Sequence, residues 1–157
     1  MRQNSHVVPP SRRCVNLMSI AHCLLVLLVL AGCGRKGPEV VPVEGTITFG
    51  GGAWPKPGAL YFTVDAPAAG MPGRPALAKF DTDGNVTVTT FHNGDGLIPG
   101  KYKMSVECWE VPPQMNAPTK AISYVPKRYQ AANSSGLSVT VEPGQRVVKL
   151  NLDVSKK

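Results

Sequence analysis

The sequence predicts an all-β fold: a single antiparallel β-sandwich of about seven strands behind a short targeting segment. Three observations carry this. From Pro42 onward the dominant hydrophobic pattern has period two, which places alternate residues on opposite faces of a pleated strand. The 16 Gly and 15 Pro cluster between the alternating runs, where they punctuate turns. No 11-residue window beyond Cys33 carries the i, i+3, i+4, i+7 apolar stripe of a helix.

Each element follows from its own residues. Val43, Gly45, Ile47 and Phe49 fall on one face of the first strand, with Glu44, Thr46 and Thr48 on the other. Gly50-Gly51-Gly52 stops it, Trp54-Pro55-Lys56-Pro57-Gly58 turns, and Leu60, Phe62 and Val64 resume the alternation. Asp65 to Pro75 holds three Pro and two Gly and reads as a loop. Ala76 to Phe80 and Asn85 to Phe91 form a hairpin across Asp81-Thr82-Asp83-Gly84, because glycine accepts positive φ without steric cost. After the loop His92 to Gly100, Lys101 to Trp109 sends Tyr102, Met104, Val106 and Cys108 inward. A second Pro-rich loop spans Val111 to Lys120. Ala121 to Val125 then gives a short edge strand, and Lys127 to Ala132 one helical turn. The end reads as a hairpin: Leu137, Val139 and Val141, a type II turn at Glu142-Pro143-Gly144-Gln145, then Val148, Leu150, Leu152 and Val154.

The opening stretch is of another kind. Arg2, Arg12 and Arg13, with no acidic residue nearby, precede the apolar run Ile20 to Leu30. That run is shorter than the roughly 20 residues needed to cross a bilayer, so it has the form of a secretory signal. Ser11-Arg12-Arg13 hints at twin-arginine export, but Asn16 and Leu17 depart from that pattern and favour the general secretory route. Leu30-Ala31-Gly32-Cys33 closes the run and resembles the lipobox of bacterial lipoproteins. The resemblance implies that residues 1–32 are removed and that Cys33 is lipidated, anchoring the chain to a membrane. It further implies a tether at 33–41, a domain at 42–154, a tail at 155–157 and a cell-envelope location. Gly34, where an aspartate commonly retains lipoproteins at the inner membrane, favours the outer membrane.

Cleavage there leaves 125 of the 157 residues, ample for one core. Three of the 17 Lys and Arg go with the leader, so 14 face 10 acidic residues, a balance of +4. The bases are spread along the chain rather than run together, so no nucleic-acid partner is expected. Cys14 and Cys23 also lie in the leader. Cys108 then stands without a partner thiol, so no disulfide framework exists and a buried, inert thiol is expected.

Val43-Glu44-Gly45-Thr46-Ile47, the Asp81–Val86 hairpin, Leu97-Ile98-Pro99-Gly100-Lys101-Tyr102, Pro126-Lys127-Arg128-Tyr129 and Ser135 to Val141 occur in this order behind the lipobox. Together they resemble small secreted lipoproteins of planctomycete-type bacteria, with transthyretin-like, carboxypeptidase-regulatory-like β-sandwich domains close to the Ig-like layout. The resemblance implies a fold and no particular activity.

Candidate chemistry is sparse. His92 could be drawn into a relay with Asp95, but no Gly-x-Ser-x-Gly elbow is present. The hydrolase branch of the transthyretin-like fold implies several histidines and a Tyr-Arg-Gly-Ser tail, and this chain ends Val154-Ser155-Lys156-Lys157. Asp81, Asp83 and Asn85 alternate as oxygen donors, a weak calcium candidate, yet Gly84 and His92 fall out of EF-hand register and a turn explains the same residues. Trp54, Trp109 and Tyr124 lie in or beside loops and form a candidate platform for sugar rings. The expected role is therefore structural or interactive, without cofactor or catalysis. The membrane, through lipid, and envelope proteins or glycans are the expected partners.

Overall fold

The computed structural model describes residues 37–115 and 120–157. The leader, the lipobox and Cys33 lie outside the described residues. Within them the order is β1 Val43–Phe49, β2 Gly58–Pro67, β3 Ala76–Phe80, β4 Val86–Thr89, β5 Gly100–Glu107, β6 Trp109–Val111, β7 Ile122–Ser123, β8 Ser138–Val141 and β9 Val148–Val154. A 3₁₀ turn over Lys127–Gln130 precedes β8.

β4-β3-β2-β5-β8 make an antiparallel five-stranded sheet, β1 and β9 pair with each other, and β6-β7 form a small antiparallel ribbon. The five-stranded sheet curls so that β1 bridges onto its β4 end through Thr46 and Asn85. The result is an all-β, open, partial sandwich. Alternation does what period two requires: in β5, Tyr102, Met104 and Val106 are buried while Lys101 is exposed. These side chains meet Leu60 and Phe62 of β2, Ala78 and Phe80 of β3, and Ile47, Leu150 and Val154 of the facing pair in one core. Cys108 joins them, buried as its apolar phase predicts.

Three details differ from the sequence reading. Strands within the described residues number nine rather than about seven: the run Lys101 to Trp109 splits at Cys108 into β5 and β6, and the expected edge strand at Ala121–Val125 shortens to the two-residue β7, which pairs with β6. β2 continues through Pro67, past the expected loop start, with a bulge at Val64/Ala66 that keeps Ala66 opposite Lys101. Most important, β8 and β9 are not a hairpin. The predicted turn is there, with Gly144 at φ 76° and Gln145 N–H donating to Glu142 O at 3.2 Å. It carries the chain from one layer to the other: β8 pairs with β5, whereas β9 runs parallel to β1 with Val43 opposite Val148 and Phe49 opposite Val154. Alternation is identical for parallel and antiparallel partners, so it could not reveal this.

The pairing of β1 with β9 depends on a missing side chain. Gly45 sits at φ 154°, and a Cβ there would collide with the Leu150 carbonyl oxygen.

Strand directions define two poles. β1, β5 and β9 all start at one end, where the entering chain is fastened: Val41 exchanges backbone bonds with Leu97 (2.7 and 2.9 Å), and Gly144 N–H donates to Glu39 Oε1 (2.8 Å). Val41 is buried, so packing of the domain begins before Pro42. The opposite pole gathers Phe49, Trp54, Phe80, Glu107 and Val154, roughly 24 Å away at about 3.4 Å per residue along β5.

Gly45→Ala is expected to cost about 2–4 kcal/mol, because the β1–β9 register must shift to admit the methyl. Gly37→Ala, with open space around it, is expected to change stability by less than about 0.5 kcal/mol. Urea unfolding of the two variants checks this, and equal midpoints would refute the close approach.

Candidate functional site

The distal pole carries a site-like arrangement. The β6–β7 ribbon, the strand exit of β9 and the 3₁₀ turn enclose a groove of about 600 Å³. Trp109, Tyr124, Lys120, Lys127, Gln130 and Lys156 line it with the short backbone segment 121–126. The ribbon exists because the chain bends at Cys108: Tyr124 N–H donates to Cys108 O at 3.0 Å, and the Ser123 hydroxyl donates to the same oxygen at 3.3 Å. Gln130 is held by its Nε2 on Val125 O at 2.7 Å. Lys156 arrives from β9, its ammonium 5.2 Å from the centroid of Phe49.

Trp109 is the ridge of this pole. Its half-buried indole borders the groove on one side and a second hollow of about 520 Å³ on the other, lined by Lys56, Lys79, Phe80, Glu107 and Glu110 among others. The indole N–H donates to Glu107 Oε2 at 3.3 Å, and Tyr61 Oη donates to the same oxygen at 3.2 Å, so the ring orientation is set from behind. The second hollow balances two lysines with two glutamates, while the first has three lysines and no carboxylate in its lining.

The expected aromatic platform is thus assembled in part. Trp109 and Tyr124 share the groove, but Trp54 does not belong to it. Trp54 is 3 % exposed, stacked on Phe49 at 4.8 Å and tilted on Phe80 at 4.6 Å. Its indole N–H donates to Ile47 O at 2.8 Å, leaving no face for a sugar. Trp54 follows a Gly-rich turn, a loop position by sequence, and the turn folds it back into the core.

The weak calcium candidate is a turn anchor. Asp81 accepts from Asn85 N–H and Asn85 Nδ2, each at 2.8 Å, and Gly84 N–H donates to Asp81 O at 3.1 Å. The Asn85 side-chain and backbone bonds hold the Asp81 pKa below the ordinary carboxylate range. Gly84 is buried because its carbonyl accepts from Ile47 N–H at 2.9 Å, and a Cβ there would strike Ile47 O. Among the described residues no group of three or more His, Cys, Asp and Glu side chains has metal-binding geometry.

Asp95 likewise organises backbone. Oδ1 accepts from Thr90 N–H at 2.7 Å, and Oδ2 from Phe91 and His92 N–H at 2.9 and 2.8 Å. Partial burial pushes its pKa up, but the backbone donors of Thr90, His92 and Phe91 together with the nearby His92 outweigh it, and the net shift is downward. Cys108 donates its thiol to Lys56 O at 3.3 Å, and burial raises its pKa against the smaller opposing influence of Lys56. The thiol is thus buried and engaged by a backbone carbonyl.

What sequence reading missed is the lysine triad. Lys120, Lys127 and Lys156 are separated by 7 and 29 positions and form no run, so no motif announces them. Comparison of the chain with protein-family models, with curated proteins and with solved structures found no match.

Two tests separate scaffold from surface. Trp54→Ala is expected to cost about 3–5 kcal/mol as a core truncation, and Trp109→Ala about 1 kcal/mol or less. Thermal unfolding decides, and equal losses would contradict the placement. For Asp95, the folded pKa lies below the unfolded value near 3.9, so its stabilisation is complete above that value and fades as pH falls through the folded one. Asp95→Ala is therefore expected to cost roughly 1–2 kcal/mol at pH 7 and progressively less in acid. Denaturant midpoints at neutral and acid pH check this; a pH-independent loss would exclude the charged acceptor role.

Proposed function

We propose that the chain is a lipid-anchored module of the cell envelope that works by binding rather than by catalysis. The observation that carries this is how its reactive side chains are spent. Asp81, Asp95 and Cys108 each hold a turn, a loop or a strand end, while the cationic, aromatic groove lies at the pole opposite the entering chain. Loops at one end of a rigid β scaffold are where such domains carry recognition. Leu30-Ala31-Gly32-Cys33 supports the anchor: Cys33 takes diacylglycerol on sulfur, and two or more chains at about 0.8 kcal/mol per buried CH₂ hold the protein at the membrane. Gly34 favours the outer membrane. The open β-sandwich is compatible with a transthyretin-like, carboxypeptidase-regulatory-like domain in a small secreted lipoprotein, the finer family that we assign.

A second reading is favoured by one observation, the meeting of Trp109 and Tyr124 in one groove: the module binds glycans.

In cells fed labelled palmitate, the full chain is expected to incorporate label and to sediment with membranes. Cys33→Ser is expected to lose both. Membrane association that survives this substitution refutes the lipid anchor.

A further inference from the structure

The groove at the distal pole has a charge and an aromatic lining that name its ligand class, and the inference below rests on the glycan reading. Lys120, Lys127 and Lys156 are exposed and line it from three separate segments. The ion pairs among the described residues, Lys103 with Asp65 and Lys149 with Glu44, involve none of the three. Asp153 is the carboxylate that interacts with Lys156; it also accepts from the Thr48 hydroxyl at 2.6 Å and Gly51 N–H at 2.8 Å, and it lies outside the groove lining. The lining contributes positive charge and none to oppose it.

Two aromatic residues share the lining with these lysines. Tyr124 packs against the core cluster from its rim, whereas Trp109 is outside that cluster and half-exposed. An aromatic face stacks on the apolar C–H face of a pyranose ring, and ammonium groups pair with carboxylate or sulfate substituents. A peptide polyanion offers charge without the flat C–H face; a neutral glycan offers the face without charge.

The groove also has a defined place relative to the entering chain. The entering chain is fastened by Glu39 and Val41 at the pole where β1 and β9 begin, and Lys156 follows the end of β9. The groove and the entry of the chain thus lie at opposite poles of the domain.

We propose that this groove binds an acidic polysaccharide, with Trp109 stacking a sugar ring and Lys120, Lys127 and Lys156 neutralising its uronate or sulfate groups. The test uses the full chain in detergent micelles and affinity electrophoresis in gels containing polygalacturonate, dextran sulfate, neutral dextran or polyglutamate. A parallel arm uses vesicles of anionic phospholipid. Retardation is expected with the two acidic polysaccharides, and binding is expected to fall steeply between about 0.05 and 0.5 M salt as the pairs are screened. Trp109→Ala and the double variant Lys127→Gln/Lys156→Gln are each expected to weaken binding about tenfold. Trp109→Phe keeps a ring and should lose less than Trp109→Ala. Lys101→Gln, at the other pole, is expected to bind as the parent does. Equal retardation by polyglutamate overturns the proposal, because rings then contribute nothing. Preference for neutral dextran overturns the acidic class while leaving glycan binding standing. No retardation by any glycan overturns both. Vesicle binding that depends on Trp109 and these lysines overturns the assignment in favour of a lipid-facing surface.

Discussion

The fold depends on the seam where β1 is hooked onto the turn between β3 and β4. Three hydrogen bonds meet there: Ile47 N–H to Gly84 O at 2.9 Å, Trp54 N–H to Thr82 O at 2.8 Å, and the Trp54 indole N–H to Ile47 O at 2.8 Å. All lie at the edge of the aromatic stack Phe49–Trp54–Phe80, where an unpaired buried group costs about 1–3 kcal/mol. β9 pairs with β1 and with no other strand of the described residues, so the second layer hangs on this seam. The polar bonds set the register, and ring burial supplies the adhesive free energy.

The same seam explains how the carboxylates of the turns are used. Asp81 closes the β3–β4 turn so that Gly84 O faces Ile47, and Asp95 gathers three amides of the next loop. A carboxylate that accepts several N–H groups is a good organiser of irregular backbone and correspondingly less available as a ligand. With no disulfide among the described residues, these bonds and one continuous core hold the loops, and Cys108 contributes as a small apolar residue. A domain built this way has a rigid interior and spends its unpaired charge on its surface, which at the distal pole is positive.

Much of this was legible in advance, for definable reasons. The burial of Tyr102, Met104, Val106 and Cys108 follows from period two alone, because one face of a strand must leave water. The Asp-Gly turn after Phe80 and the Pro-Gly turn at Gly144 follow from the φ angles those residues accept. The single helical turn at Lys127 and the short edge strand at Ile122 were readable from breakers beside brief apolar runs. Illegible were the partner of β9, the inward turn of Trp54 and the joining of three distant lysines. Each is a long-range relation, and alternation, propensity and spacing are local quantities.

By itself the sequence determined which strand residues face inward, where the chain turns and that it carries no helix-forming stripe beyond Cys33, since these depend on side-chain chemistry within a few positions. Only the tertiary structure decided that β9 lies parallel to β1 rather than folding back on β8. The Val148 N–H is satisfied by Pro42 O at 2.8 Å, and Gly45 has no side chain to hold Leu150 away. That same crossing delivers Lys156 to the pole where Trp109 and Tyr124 stand, and the groove exists because of it.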